Sequence, residues 1–192
     1  MIVLGIDTSL DACSVAIVRD GETLAHFSET MNRGQAERLA PMVREAAQQA
    51  GVTFAQLDRV AVTTGPGSFT GVRVGLSFAR ALALALNKPC IGVSTLEALA
   101  LEDGEEGARA ALIETPGASY FARYERGAAD IVPCNIERGE HEALLSGARL
   151  KGPGVTVNAE ALAARAARLD PAHYPSDPTY LRAPHVTLPG GS

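Results

Sequence analysis

The alternation of apolar and polar residues predicts a run of strands at the start of the chain. Residues 2–6 form a continuous apolar run, as expected of a strand that is buried on both faces. Residues 12–18 resume as a strand, and Asp20-Gly21 predicts a tight turn into a third strand at 22–29. The first thirty residues therefore predict an antiparallel, three-stranded meander.

The period then changes to one that predicts helices alternating with buried strands. We predict helices at 35–50, 70–86 and 94–101, the last capped by Ser94, and strands at 59–64 and 90–93. A strand that follows a long helix is expected to run parallel to the strand before it. The order β-β-β-α-β-α-β-α is typical of a ribonuclease H-like or actin-like half.

An acidic stretch with two glycines at 102–107 is the best candidate boundary between two parts of the chain. Beyond it we predict strands at 108–114, 119–125, 131–136 and near Val155, helices at 140–145 and 159–169, and an irregular tail from Pro171. The predicted fold is α/β, actin-like or ribonuclease H-like, with mixed β-sheets flanked by helices. It has an N-terminal lobe at 1–103 and a reduced C-terminal lobe at 104–192.

Charge and composition bear on the partners and on the compartment. A net charge of −5 and aromatic residues at 5% argue against nucleic-acid binding by this chain alone, which draws on clustered cations or exposed rings. The three cysteines are far apart and predict a reducing compartment. The first residues lack a signal-peptide pattern, and the longest apolar stretch is interrupted by Arg80, so we expect a cytoplasmic protein without a membrane span.

Two turns at strand ends carry the residues that could face an anion or a nucleotide. The glycine-rich loop at 65–71 joins a predicted strand to a helix, where backbone N–H groups can approach a ligand. It lacks the lysine of a phosphate-binding P-loop, so a tight packing turn explains it equally well. The candidate residues in the two turns are Asp7, Thr8, Ser9, Gly65, Gly67, Ser68 and Thr70.

The carboxylate of Asp7 has two interpretations. It could hold a metal ion or a water molecule near a phosphate, or it could orient a turn in which Thr8 and Ser9 form local hydrogen bonds. No second carboxylate stands beside it in the motif. The sequence therefore leaves both interpretations open.

Small residues recur along one side of the second predicted helix. Gly71, Gly75, Ala79 and Ala83 are spaced at i, i+4 and form a smooth groove. The helix is apolar nearly all round, which predicts burial on two sides. The groove accommodates either the chain's own core or the close approach of a partner helix.

The search for catalytic and metal-binding motifs identifies no candidate residue of either kind. The four histidines show neither HxxxH nor HExxH spacing, and Ser68 has no histidine or aspartate partner in its motif. We therefore predict no catalytic residue and no metal ligand in this chain.

Three segments together resemble the TsaB (YeaZ) family: residues 5–9, 65–75 and 92–99. Residues 178–182 resemble it more loosely. The resemblance implies a non-catalytic scaffold subunit for threonylcarbamoyl transfer to the adenosine beside the tRNA anticodon. It also implies a TsaD-like catalytic subunit and a TsaE-like ATPase as partners. ATP and metal are then expected on those partners, with no cofactor bound by this chain alone and with tRNA contacted only through the complex. The apolar helix pair would also allow two copies of the chain to form a homodimer when it is alone.

The resemblance further implies that the first two helices form the partner interface. Carried over, the interface residues are Gln35, Leu39, Met42, Gly71, Arg73, Val74, Gly75 and Phe78. Gly75→Arg is then expected to abolish pairing and to preserve most of the fold. The chain departs from the family pattern at Gln35, where many members have histidine, and at 114–116, where many have Asp-Ala-Arg.

Two other functions are kept as alternatives. A metallopeptidase-like hydrolase requires a metal site or an activated nucleophile. A small-molecule kinase of the actin superfamily requires a second glycine-rich loop in the C-terminal lobe, for which Gly152-Pro153-Gly154 is the candidate.

Overall fold

The computed structural model describes residues 1–179 and 181 and contains two β-sheets. The first sheet has five strands: β1 (Ile2–Asp7), β2 (Ala12–Arg19), β3 (Glu22–Thr30), β4 (Arg59–Thr63) and β5 (Cys90–Val93). Their order is β3-β2-β1-β4-β5, with β1, β2 and β3 antiparallel and with β4 and β5 parallel to β1. This order confirms the predicted meander and the predicted parallel strands.

Local residue chemistry explains the connections of the first sheet. Asp20 and Gly21 both have positive φ, 50° and 88°, as a tight two-residue hairpin turn requires. Helix α1 (Gln35–Ala50) ends at Gly51, whose left-handed conformation (φ 63°) lets its N–H reach the last carbonyls of the helix. Thr53 and Gln56 form the capping box of a short 3₁₀ turn at Phe54–Gln56, which their Thr-x-x-Gln spacing predicts.

Helices α1 and α2 (Phe69–Leu86) cover one face of the first sheet. The core there combines strand residues such as Leu4 and Ile6 with Leu39 of α1 and Leu76 of α2. Within the described residues, α2 has the length and apolar composition of a membrane-crossing helix, a test that the core helix of a globular domain also passes. Here α2 packs on β4 and β1.

The second sheet repeats the topology of the first in shortened form. Its strands are β6 (Ala108–Thr115), β7 (Ala118–Glu125), β8 (Ala128–Ile136) and β9 (Arg149–Lys151), and the one-turn helix α4 (His141–Leu144) precedes β9. The order β8-β7-β6-β9, with β9 parallel to β6, matches β3-β2-β1-β4. The described residues contain no counterpart of β5 in this sheet. The fold is therefore the predicted two-lobe, actin-like or ribonuclease H-like α/β fold with a reduced second lobe.

The strand predicted near Val155 is wrong in position, because the structure places β9 at Arg149–Lys151. Gly152 ends it with a φ of 97°, a conformation that favours glycine. A Cβ there would lie 2.1 Å from the carbonyl oxygen of Leu112. The left-handed conformation of Gly152 thus ends β9 before Val155.

Helix α5 (Ala159–Ala166) belongs to the second segment by sequence but packs on the first sheet. A Cβ at Gly5 would lie 2.4 Å from the carbonyl oxygen of Ala159, so β1 and α5 are in direct contact. The Arg59 guanidinium also donates to the carbonyl of Leu169 at 2.6 Å. The boundary between the lobes at 103/104 stays a prediction. Helix α5 lies after this boundary in the sequence but contacts strands that lie before it.

Helix α3 (Thr95–Ala100) lies between the two sheets and contacts β6 and β7. Ser94 occupies the predicted N-cap position of α3, but its side chain makes no capping hydrogen bond. Glu97, which a capping box would turn back toward Ser94, instead accepts hydrogen bonds from Arg165 of α5. Residues 171–179 form no helix or strand. Two backbone hydrogen bonds hold this segment to the first sheet and the loop after it: the Gly92 N–H donates to the Tyr174 carbonyl, and the Thr179 N–H donates to the Thr64 carbonyl.

Candidate functional site

The glycine-rich loop between β4 and α2 packs against the turn that follows β1. The Ser68 N–H donates to the carbonyl of Ser9 at 2.7 Å, which joins the loop to the turn. The Ser68 hydroxyl oxygen accepts from the Gly71 N–H at 3.2 Å and caps α2. Both the backbone and the side chain of Ser68 therefore hold the loop in place.

Three glycines allow this close contact. A Cβ at Gly67 would lie 2.2 Å from the Ser9 carbonyl oxygen, and one at Gly71 would lie 2.0 Å from that of Thr8. A Cβ at Gly75 would lie 2.6 Å from Thr8 Oγ1. These distances are below van der Waals contact, so the glycines let α2 approach the turn. They support the packing interpretation of the loop.

Asp7 is fully buried at the carboxyl end of β1. Its Oδ1 accepts hydrogen bonds from the hydroxyls of Ser9 and Thr63, both at 2.6 Å, and from the Ser9 N–H at 3.2 Å. Burial raises the pKa of Asp7, and the hydrogen bonds from Ser9 and Thr63 oppose that rise. Asp7 Oδ1 thus links the turn to β4, whereas Oδ2 is buried without a hydrogen-bond partner among the described residues. Both interpretations of this carboxylate stay predictions.

The small-residue face of α2 points into the chain's own core. Gly71, Gly75, Ala79 and Ala83 are all buried against β1 and β4. The interpretation of this face as a groove for a partner helix is therefore wrong for this conformation. The sequence pattern missed this because α2 is apolar on its outer side as well.

The outer face of α2 carries exposed apolar side chains. Phe69 is 67% exposed and Leu84 is 83% exposed. The Arg73 guanidinium stacks over the Phe69 ring, with Cζ 3.3 Å from the ring centroid. Val74 and Phe78 are partly buried on the same helix. This outer face, from Phe69 through Val74 and Phe78 to Leu84, is called the α2 outer face below.

The residues predicted for a partner interface thus separate into two groups. Arg73, Val74 and Phe78 reach the surface. The others are buried within this chain: Gln35, Leu39, Met42, Gly71 and Gly75. The Gln35 amide nitrogen donates to the Met31 carbonyl at 3.1 Å, so its role in the free chain is to hold the start of α1.

A cleft of about 940 Å³ opens between the two sheets. Gly65, Gly67 and Ser68 line one wall. Asp7, Thr8 and Ser9 are buried and are not part of the lining, and Thr70 lies exposed at the start of α2 outside it. The structure therefore brings three of the seven candidate anion-facing residues to the cleft.

Residues 114–117 and 154–156 form the opposite wall. The sequence analysis named Gly154 and residues 114–116 but did not place them together at this cleft. Residues 116–117 connect β6 to β7, as residues 8–11 connect β1 to β2. The repeated strand order of the two sheets places these turns at equivalent positions. A search for a weak internal repeat of the meander could have identified this wall.

The charges of the cleft are mixed. Asp11 and Glu114 line it together with Arg73, and the Glu114 carboxylate lies 3.6 Å from the Arg138 guanidinium. In the part of the chain that the structure describes, no group of three or more His, Cys, Asp or Glu side chains could hold a metal ion. The cleft thus offers a polar and apolar lining without a concentration of positive charge.

The strand order of the two sheets and the cleft between them define the class of protein as two-lobed, actin-like α/β. A family model described as "TsaD: tRNA N6-adenosine threonylcarbamoyltransferase" matches residues 24–175, well over half of the chain. The chain belongs to this family. The relatives that match it include TsaB proteins and tRNA N6-adenosine threonylcarbamoyltransferases, and the solved structures with TM-scores of 0.76 and 0.74 are YeaZ-like proteins.

Relatives and a solved structure support this assignment. The tRNA threonylcarbamoyladenosine biosynthesis protein TsaB of Escherichia coli is 41% identical over 130 residues, which cover 66% of this chain and 56% of that protein. The protein of the same name from Haemophilus influenzae is 43% identical over 97 residues, 50% of this chain and 41% of that protein. The chain spans about half the length of the curated relatives it matches.

The fold is shared along nearly the whole described chain. A crystal structure titled as an uncharacterized protein with similarity to peptidase YeaZ from Pseudomonas aeruginosa superposes with a TM-score of 0.76 and 28% identity. The superposition covers 94% of this chain and 99% of the Pseudomonas aeruginosa chain. Two of the matching segments named above, residues 65–75 and 92–99, fall inside the family match, and residues 178–182 lie only partly within the described residues.

Proposed function

We propose that this chain is a non-catalytic scaffold subunit in the biosynthesis of threonylcarbamoyladenosine in tRNA. The family and the names of its TsaB relatives support the pathway. A TsaD-like subunit then supplies the transferase site, and a TsaE-like ATPase joins the pair. ATP and metal act on those partner subunits, and tRNA is reached through the complex, in keeping with a net charge of −5.

The burial of Asp7, Thr8 and Ser9 in the turn after β1 is the observation that carries the scaffold role. In this chain Asp7 is fully buried and bonded to Ser9 and Thr63, and Gly67 and Gly71 are packed against the turn at 8–9. A carboxylate that activates a metal or a nucleophile must reach its substrate. Here the corresponding residues stabilise the base of α2 instead.

The α2 outer face provides the surface for the partner. Phe69 and Leu84 are exposed near the two ends of α2, with the partly buried Val74 and Phe78 between them, and exposed apolar side chains of this kind occur at protein–protein contact sites. Arg73 adds a guanidinium stacked on Phe69, and arginine and aromatic residues are enriched in interface cores. The proposed interface is therefore this outer face, with Arg73, Val74 and Phe78 from the predicted set. In the absence of a partner the same face is proposed to pair two copies of this chain.

The expectation that Gly75→Arg abolishes pairing and preserves most of the fold does not agree with the packing of Gly75. A side chain there would meet Thr8 and Val62 inside the core, so loss of pairing would follow from loss of the fold. Leu84→Arg is the better test because Leu84 is 83% exposed and the substitution leaves the core intact. Val132→Arg is the matched control, since Val132 is 66% exposed on β8 of the other sheet.

Co-elution with the TsaD-like subunit from the same organism measures this interface. We expect Leu84→Arg to weaken binding at least tenfold, on the order expected for a charge placed in an apolar contact. Val132→Arg is expected to bind as the unmodified chain does. Equal binding by both variants would refute the α2 outer face as the interface, and no binding by the unmodified chain would refute the pairing itself.

Nucleotide binding in the manner of an actin-superfamily kinase is the second candidate function. Gly154 lies on the cleft wall opposite Gly65 and Gly67, so two glycine-containing segments face each other across the cleft. Calorimetry of the isolated chain with ATP tests this candidate. ATP binding with a micromolar dissociation constant would favour this candidate. Heats no larger than those of dilution would refute nucleotide binding by the isolated chain and favour the scaffold role.

A further inference from the structure

The linker that joins α3 to β6 contains three carboxylates that pair with cations from elsewhere in the fold. Lys151 Nζ lies 2.8 Å from Glu102 Oε1 and 3.0 Å from Asp103 Oδ2. The Arg165 guanidinium lies 2.7 Å from Glu105 Oε1. An acidic linker of this composition would be expected to stay solvated, yet here it is bonded along its length.

The two cations come from different layers of the molecule. Lys151 is the last residue of β9, at the edge of the second sheet. Arg165 lies on α5, which packs on the first sheet. The same short linker is therefore held from both sheets at once.

The bond between Arg165 and Glu97 is largely shielded from solvent, whereas Glu105 is 42% exposed. The Arg165 side chain is 10% exposed and also donates to Glu97 of α3, with nitrogen–oxygen distances of 2.7 and 2.6 Å. Glu97 is 13% exposed and also accepts from the Tyr174 hydroxyl at 3.3 Å. Buried, charge-assisted hydrogen bonds are weakly screened by salt, and losing one partner leaves a charge uncompensated.

We propose that Lys151 and Arg165 lock residues 102–105 and thereby fix the relative orientation of the two sheets. A single apolar core that includes Val93 of β5, Leu96 of α3 and Ala111 of β6 supports the same orientation. The interlobe cleft then keeps one width, and the chain presents a rigid surface instead of a clamp that opens and closes. This inference is independent of which partner the chain binds.

Amide hydrogen exchange of the full chain tests the lock. We expect Lys151→Met and Glu105→Gln to accelerate exchange about tenfold in residues 102–107 and in the cleft-lining residues 114–117, because each removes charge-assisted hydrogen bonds. Exchange in β1 and β2 is expected to stay unchanged. Arg165→Met is expected to have a larger effect in the same segments.

Two exposed arginines beside the same carboxylates provide matched controls. Arg149 lies 3.9 Å from Asp103, Arg168 lies 3.8 Å from Glu105, and their side chains are 69% and 70% exposed. Arg149→Met and Arg168→Met are expected to change exchange by less than about twofold, as exposed ion pairs do.

Two results would overturn the proposal. One is unchanged exchange at 102–107 in both Lys151→Met and Glu105→Gln. The other is faster exchange of the linker with no change at 114–117, which would show a loosened linker between sheets that stay together. If Arg165→Met unfolds the whole chain, the other two variants decide the outcome.

Discussion

Gly75→Ala tests whether the small-residue face of α2 is packed on the turn after β1. In the interior of an exposed helix, alanine is favoured over glycine by about 1 kcal/mol. At Gly75 the new Cβ would lie 2.6 Å from Thr8 Oγ1 and 3.5 Å from a methyl of Val62. The contact with the Thr8 hydroxyl therefore decides the sign of the effect.

The magnitude follows from what Thr8 must give up. Its hydroxyl donates to the Gly71 carbonyl at 2.7 Å, a bond worth about 0.5–1.5 kcal/mol that is lost if the side chain moves away. Overpacking in a core costs about 1–3 kcal/mol. After subtraction of the gain in helix propensity, we expect Gly75→Ala to lower the free energy of unfolding by about 2 kcal/mol.

A double-mutant cycle with Thr8→Ala isolates this contact. Without the hydroxyl, Gly75→Ala is expected to stabilise the chain by up to about 1 kcal/mol, so the coupling energy is about 2–3 kcal/mol. Urea unfolding followed by circular dichroism measures the four proteins, and Ala81→Gly, at an exposed position of α2, calibrates the propensity. A stabilising Gly75→Ala in both backgrounds would refute the packing of this face and restore it as a groove for a partner.

Two further predictions concern buried titratable groups. Burial raises the pKa of Asp7, so the folded chain retains this proton above about pH 4, where the unfolded chain releases it. The stability contributed by Asp7 therefore falls as the pH rises above about 4. The free energy of unfolding of Asp7→Asn, relative to that of the unmodified chain, is expected to increase with pH. Parallel curves of unfolding free energy against pH from 4 to 8 would contradict this. Burial also raises the pKa of the Cys13 thiol to about 11. We therefore expect Cys13 to resist a thiol reagent at pH 8 until the chain unfolds. Modification of Cys13 in the folded chain at the rate of a free thiol would contradict its burial.

Features set by neighbouring residues could be predicted from the sequence. The hairpin at Asp20-Gly21, the end of α1 at Gly51 and the box formed by Thr53 and Gln56 each depend on conformations or hydrogen bonds within a few residues. The order of the first sheet followed as well, because hairpins and long helices restrict how consecutive strands can pair.

Features set by distant residues could not be predicted. Ser94 and Glu97 have the spacing of a capping box, but Arg165, 68 residues away, binds Glu97 instead. The inner face of α2 was misassigned because apolar residues on both sides give no preferred direction. On the second wall the sequence offered Gly152-Pro153-Gly154 alone as a candidate loop, because residues 114–117 contain no motif that predicts a position at the cleft.

The scaffold proposal rests most directly on whether tRNA modification requires this chain. The measurement is the amount of threonylcarbamoyladenosine in tRNA, by mass spectrometry of nucleosides, after incubation with the TsaD-like subunit, the TsaE-like ATPase and the enzyme that makes the threonylcarbamoyl-adenylate donor. We predict full modification with this chain present, none above background without it, and none when this chain replaces the TsaD-like subunit. Full modification in its absence, or modification by this chain without the TsaD-like subunit, would contradict the account.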